Sequence, residues 1–173
     1  MSTRAGTLAG SMLIGLWALG AGGQGEAQPV REPGMIEVVV SVELSCPSCA
    51  QGLERRFSRL EHVNRVEIQV DRSRVVLGLE PGTSVSLKEV WDVVRNAGFT
   101  PDRLALTAVG RLVEVSGEAA LGLPGEMVLA LAGDHAAELS TAAGQNLVEV
   151  HGEVALGTGN GPPILTVGRF NLP

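Results

Sequence analysis

The sequence is poor in cysteine, in aromatic residues and in positive charge. Its 173 residues include two cysteines, no tyrosine and only 3% aromatic side chains. So low an aromatic content argues against the rows of stacking rings that single-stranded nucleic acid binders use. Lysine and arginine together number 13 against 19 acidic residues, for a net charge of -6, whereas nucleic-acid-binding domains carry a basic surface. We therefore expect no nucleic-acid partner.

The segment at residues 1–27 has the pattern of a secretory signal peptide. Arg4 supplies a positive charge, residues 12–19 form a short apolar core, and residues 25–27 (Gly-Glu-Ala) offer small residues for cleavage at Gly25 and Ala27. The apolar core is shorter than the roughly 20 residues of a membrane-spanning helix. We expect an exported protein, periplasmic or extracellular, with no membrane span after cleavage and with a linker at 28–34. An uncleaved membrane anchor is the alternative.

Residues 35–107 show strand and helix patterns in the order βαββαβ. Apolar and polar residues alternate over 36–44, and a helical face follows at Leu53, Phe57 and Leu60. The remaining signals are a hairpin over 66–79, a capping box of Ser86 and Glu89 before a second helix, and a last strand with Leu104 and Leu106. This order predicts a ferredoxin-like α+β domain, in which two helices cover one face of an antiparallel sheet.

The two cysteines lie at the junction of the first strand and the first helix. Pro47 suits the first helical position, so we expect Cys46 at the N-cap and Cys49 in the first turn. Both sulfurs then lie near the positive end of the helix dipole, which favours the thiolate form that binds metals and attacks disulfides. Two thiolates suit soft ions of low coordination number such as Cu(I) and Hg(II), whereas a structural zinc site takes four ligands.

The region from 35 to 107 resembles the heavy-metal-associated domain of copper chaperones, copper ATPases and the periplasmic mercury-binding protein. The family's Met-Thr-Cys-x-x-Cys loop is matched by Leu-Ser-Cys-Pro-Ser-Cys at 44–49. Residues 60–66 resemble its helix-to-strand turn, with His62 in place of the usual glycine, and residues 96–99 resemble its closing Ala-Gly-Phe.

This resemblance implies a metal-binding protein rather than an enzyme. Cys46 and Cys49 would be the metal ligands, the cargo would be Cu(I) or Hg(II), and the partner would be a metal-transporting membrane protein or another metal carrier. Phe99 stands where the family keeps an aromatic residue or a lysine near the metal loop, although a plain core residue is the other interpretation. Three arginines of the first helix either dock an acidic partner or form a solvated face: Arg55, Arg56 and Arg59.

The cysteine pair leaves other hypotheses open. A Cys-Pro-x-Cys sequence at a helix start is also typical of thiol-disulfide oxidoreductases, in which Cys46 would attack and Cys49 would resolve. A purely structural disulfide is disfavoured, because so short a loop gains much less than the ~3 kcal/mol expected for a 15-residue loop. In a third hypothesis the whole chain is an interaction module and the cysteines matter little.

Residues 108–173 predict a second, acidic domain. It contains two arginines and seven acidic residues, a net charge of -5. The segment 112–118 recurs almost unchanged at 147–153, and we interpret both copies as strands with a glycine bend, as used where a small barrel turns a corner. With further strands at 127–131 and 164–167, and a short helix at 134–139, we expect a small all-β, OB-like barrel.

No catalytic constellation is recognisable in the sequence. It shows no Ser-His-Asp order, no phosphate-binding loop and no paired catalytic carboxylates, so we expect no enzymatic activity. The histidines His62, His135 and His151 are weaker candidates for metal ligands than for ordinary solvated side chains.

Overall fold

The computed structural model describes residues 32–45, 47–144, 146–157 and 161–172. Its elements are β1 (Gly34–Val42), α1 (Pro47–Phe57), β2 (Val63–Gln69), β3 (Arg74–Leu79), α2 (Leu87–Asn96), β4 (Pro101–Val115), β5 (Glu118–Gly122), β6 (Val128–Ala132), α3 (Asp134–Ala143), β7 (Leu147–Ala155) and β8 (Ile164–Asn171). The expected α+β class is confirmed. The predicted signal peptide, and the predicted linker as far as residue 31, lie outside the described residues.

The first half of the chain has the predicted βαββαβ order. Its four strands are hydrogen-bonded in the order β2-β3-β1-β4, and every neighbouring pair is antiparallel. Helix α1 buries Leu53 and Phe57 completely, and α2 contributes Val90 and Val94 to the same core. Each such side chain stabilises the fold by about 1.5–3 kcal/mol through its removal from water. Both helices are therefore held on the sheet by the apolar faces that were predicted from the sequence.

The second half forms a closed barrel of five strands. Strand β4 pairs with β5, β5 with β6, β6 with β8, β8 with β7, and β7 returns to β4. Only the β6–β8 pair among these is parallel. Helix α3 connects β6 to β7 and contributes the buried Leu139 and Ala143. The expected small barrel is therefore present, with one strand, β5, that the sequence analysis did not predict.

The two copies of the short repeat differ in structure. Gly117 does not bend a strand; together with Ser116 it forms the two-residue turn between β4 and β5, with φ of 54° for Ser116 and 85° for Gly117. Two successive positive φ angles define the type I′ turn that suits tight hairpins. Gly152 in the second copy does lie inside a strand, at a bulge in the β7–β8 pairing. The glycine-bend interpretation is thus correct for Gly152 and wrong for Gly117.

Strand β4 belongs to both halves of the chain. Its residues from Pro101 to Val109 pair with β1, residues from Leu104 to Arg111 pair with β7 on the other edge, and residues from Arg111 to Val115 pair with β5. The predicted boundary between residues 107 and 108 falls inside this strand. The buried residues of the helix-covered sheet and of the barrel form one core cluster. The division into domains at 35–107 and 108–173 stays a prediction.

Glycine is required where the barrel strands approach most closely. A Cβ atom on Gly152 would lie 2.1 Å from the main-chain oxygen of Thr166 in β8. Main-chain atoms in the middle of a sheet cannot move away as a flexible side chain can, so β8 would have to separate from β7 to admit a methyl group.

Replacing Gly152 by alanine is expected to destabilise the protein by about 2 kcal/mol or more. Adding a methyl group to a well-packed core typically costs about 1–3 kcal/mol. Gly52 in α1 provides the matched control, because a Cβ there meets nothing within 4 Å. Alanine at a helix interior stabilises by roughly 0.5–1 kcal/mol relative to glycine. Urea unfolding followed by circular dichroism measures both variants. Equal stability of Gly152→Ala and the parent would contradict the close approach of β7 and β8.

A fragment of residues 28–107 is expected to fold alone, because it keeps both helices, the strands β1 to β3 and residues 101–107 of β4, which include most of its pairing with β1. Its stability should fall below that of the full chain, since it loses the pairing of β4 with β7. Circular dichroism and amide hydrogen exchange of the fragment test this. An unfolded fragment would show that the barrel completes the first core.

Candidate metal centre

The candidate site is built on the segment that joins β1 to α1. Strand β1 ends at the buried Val42, whose N–H donates a 2.9 Å hydrogen bond to the main-chain oxygen of Ser73. Leu44 is 5% exposed and belongs to the core cluster. Ser45 is exposed. One buried apolar side chain in this loop therefore anchors it to the core and directs the chain into α1.

Cys49 lies in the first turn of α1, which begins at Pro47 as the sequence predicts. Cys46 is the only other cysteine of the sequence; its predicted N-cap position lies outside the described residues. Cys49 itself is disulfide-bonded. The main-chain N–H groups of a first helical turn carry partial positive charge, which in a reduced protein favours a thiolate at this place over a thiol.

The partial burial of Cys49 follows from helical spacing. Leu53 lies four residues further on, and Phe57 four residues beyond that, and both are completely buried. Side chains separated by four residues share one face of a helix, so Cys49 lies at the N-terminal end of the buried stripe and is half-buried. The core contacts of α1 thus fix the position of Cys49 relative to the sheet.

The loop after α2 reaches the same end of the sheet. Pro101 is the register partner of Val42, the last residue of β1. Gly98 has φ of 88°, and the N–H of Phe99 returns to the oxygen of Val94 at 3.2 Å, which closes the helix. Phe99 is partly buried and packs against the core cluster. This packing favours its interpretation as a core residue.

Three arginines lie exposed on α1 and just beyond it: Arg55, Arg56 and Arg59. Within the described ranges no acidic side chain forms an ion pair with any of them. They form a basic surface one to three helical turns from Cys49, a spacing of roughly 5.4 Å per turn.

His62 does not belong to the site. Its Nδ1 lies 3.3 Å from Oε2 of Glu80, and its main-chain oxygen accepts a 2.9 Å hydrogen bond from the N–H of Glu80. Val63 pairs with Leu79, at the end of β3 opposite to the Ser73 end that contacts Val42. The φ of His62 is 66°, a left-handed conformation that glycine adopts most easily.

The other two histidines lie outside the Cys49 region. His151 Nδ1 in β7 is 2.9 Å from the hydroxyl of Thr107 in β4, and His135 Nδ1 in α3 is 3.2 Å from Glu138 Oε2. Within the part of the chain that the structure describes, no group of three or more His, Cys, Asp or Glu side chains is arranged to hold a metal. In that same part, no helix is both long and apolar enough to span a bilayer.

One charged cluster was not predicted from the sequence. Arg103 in β4 lies between two carboxylates, with Nη1 3.2 Å from Glu153 Oε1 and Nε 3.5 Å from Asp102 Oδ2. The hydrogen bond and the charge of Glu153, followed by those of Asp102, raise the pKa of Arg103 above its ordinary value. The partner in β7 is fifty positions away in the sequence, so only the register of the barrel brings the two together.

Solved structures that resemble part of this chain include two copper-related domains. No family model matches the sequence, and no curated protein does. The solution structure of the yeast copper transporter domain CCC2A, in apo and Cu(I)-loaded states, is 16% identical over 39% of this chain and 92% of its own, with a TM-score of 0.35. The apo form of the HMA domain of a copper chaperone for superoxide dismutase is 14% identical over 59% of this chain and 82% of its own, also with a TM-score of 0.35.

Proposed function

We propose that this protein is an exported carrier of a soft metal ion, bound by the thiolates of Cys46 and Cys49. The observation that carries the proposal is the position of Cys49, in the first turn of a helix whose preceding loop is anchored by the buried Leu44. A Cys-x-x-Cys spacing across such a helix start presents two sulfur donors on one side. The sequence supplies no third cysteine.

The donor chemistry selects the class of metal. Thiolates are soft ligands, and a site with two of them suits Cu(I) or Hg(II), which accept low coordination numbers. Zinc would require two further nitrogen or oxygen ligands. A metal held by only two sulfurs also passes readily to another thiolate pair by ligand exchange, so the partner we propose is a metal-transporting membrane protein or another metal carrier.

The exposed arginines Arg55, Arg56 and Arg59 support a docking role next to the site. A basic helix surface attracts an acidic partner and steers its approach, an effect that weakens with ionic strength. Such a surface accelerates encounter more than it increases affinity, which suits a carrier that must release its partner after transfer.

A thiol-disulfide oxidoreductase is the second candidate function. The disulfide at Cys49 favours it, because a pair that carries and transfers oxidising equivalents must form a disulfide as part of its cycle. In that function Cys46 attacks and Cys49 resolves. For metal binding the disulfide must first be reduced, since thiolates and not disulfides bind the ion.

We also propose that the closed barrel is OB-like and that the mature protein lies outside the cytoplasm. The strand order and the helix between β6 and β7 support the first statement, and the apolar segment at 12–19 supports the second. A fold alone does not assign a function to the barrel.

Changing either Cys46 or Cys49 to serine is expected to remove stoichiometric binding of Cu(I) or Hg(II) by the reduced protein. A single thiolate cannot complete a two-sulfur site, so affinity should fall well beyond the roughly 10- to 100-fold typical of losing an outer-shell partner. Elemental analysis and competition with a chelator measure this. Gln51→Ala, an exposed change one half-turn further along α1, is the control and should bind one equivalent like the parent.

The same variants separate the two candidate functions. An oxidoreductase would have a disulfide potential above roughly -300 mV, and its Cys49→Ser variant would trap mixed disulfides through Cys46. Rapid disulfide exchange without stoichiometric metal binding under reducing conditions would reject the carrier and favour the oxidoreductase.

The mature protein is expected to begin near Gln28, after the small residues Gly25 and Ala27. The intact mass of protein recovered from the exported fraction decides this. A mass that still includes Arg4 would show that the segment is not cleaved and would support the alternative of an uncleaved membrane anchor.

A further inference from the structure

A groove opens where β4 and β7 separate. The pairing of these strands begins at Leu104 and Val154, and N-terminal to Leu104 strand β4 pairs with β1 alone among the described strands. The groove encloses about 450 Å³, which lies within the range of ligand-binding clefts. It opens at the end of β4 that lies beside the last residue of β1, Val42.

The floor and one wall of the groove are apolar. Leu104 is 1% exposed and Val154 is 8% exposed, so both are held by the core and line the groove from below the more exposed apolar residues. Trp91 of α2 and Leu156, which follows β7, are partly buried and line the groove. An aliphatic side chain that entered here would leave water for a rigid apolar surface, which is the main source of affinity in such contacts.

The rim of the groove is acidic on balance. Asp102 and Glu153 contribute two carboxylates against the one guanidinium of Arg103. Arg103 approaches one oxygen of each, Oδ2 of Asp102 and Oε1 of Glu153. The second oxygens, Oδ1 and Oε2, lie outside these two contacts and are available to a further cation. The rest of the barrel adds to the negative potential, since residues 108–173 without Glu153 carry a net charge of -4.

The main chain of β4 adds a third feature. In an antiparallel sheet alternate residues direct their N–H and C=O groups to opposite edges of the strand. Between Pro101 and Leu104 one edge of β4 is occupied by β1, and the other faces the groove because β7 has separated. A short extended peptide can use such an edge, with main-chain hydrogen bonds for affinity and side-chain pockets for specificity.

We propose that this groove binds an extended peptide segment of a partner protein in which an apolar residue is flanked by basic ones. The apolar side chain packs against Trp91 and Leu156, next to the buried Leu104 and Val154, and the basic side chains approach the outer carboxylate oxygens of Asp102 and Glu153. The proposal goes beyond metal binding, because it requires neither the thiols nor an ion. An acidic peptide would be repelled by the rim, and a metal ion would compete with the guanidinium of Arg103.

The probe is a synthetic peptide, acetyl-Gly-Lys-Leu-Lys-Gly-amide, added to the metal-free full-length protein. Trp17 and Trp91 are the two tryptophans of the chain, and we expect the peptide to change the fluorescence of Trp91. The change should be lost in Trp91→Phe. A peptide with glycine in place of leucine should bind roughly tenfold more weakly or worse, and one with glutamates in place of the lysines should not bind.

The charged rim is tested with Glu153→Gln, which should weaken binding of the lysine peptide about two- to fivefold, as expected for one exposed charge pair. Glu118→Gln makes the same charge change in the exposed β4–β5 hairpin and should leave binding unchanged. Raising the ionic strength should weaken binding by the parent more than by Glu153→Gln.

Three results would overturn the proposal: equal binding of the lysine and glutamate peptides, equal effects of Glu153→Gln and Glu118→Gln, or the same fluorescence change with lysine amide alone. The last would indicate a site for small organic cations. None of these results depends on the cysteines, so the proposal can fail while soft-metal binding by Cys46 and Cys49 is retained.

Discussion

The pairing of β4 along both of its edges is the interaction on which the rest of the structure depends. The strand has 15 residues and contacts β1, β5 and β7 at different positions. Gly110 lies between Val109, where the pairing with β1 ends, and Arg111, where the pairing with β5 begins. A Cβ on Gly110 would lie 2.7 Å from the main-chain oxygen of Gly122, so the close approach of β5 requires glycine here. Since β1 leads directly into the cysteine loop, the strand that holds β1 in the helix-covered sheet is also the strand that closes the barrel.

Local patterns in the sequence were sufficient for the elements that carry the candidate site. The alternation in β1, the proline at the start of α1 and the Ser86 cap of α2 all involve residues a few positions apart, and all three are present. The half-burial of Cys49 also follows from its spacing to Leu53. Strand β5 was missed because Ala119, Ala120 and Leu121 do not alternate and alanine has little preference for strands.

Features that depend on distant partners were not predictable in the same way. The length of β4 is set by its register with β7, whose residues lie about forty positions further along the chain. The contact of Arg103 with Glu153, and the groove beside it, exist only because of that register. The left-handed conformation of His62, with φ of 66°, was also not predicted, because a histidine does not mark such a position in the way that a glycine does.

The closure of the barrel onto β4 also changes the edges of the sheet. A four-stranded sheet of order β2-β3-β1-β4 has two outer strands, and unpaired main-chain groups on an outer strand are a route to aggregation. Here β7 covers the outer edge of β4 from Leu104 to Arg111, so among the described strands β2 is the one whose whole outer edge ends the sheet. Strand β2 carries the exposed charges of Arg65 and Glu67, which discourage another chain from pairing with it. The barrel thus protects most of this edge of the helix-covered sheet from association with another strand, and leaves only the short stretch before Leu104 uncovered by β7.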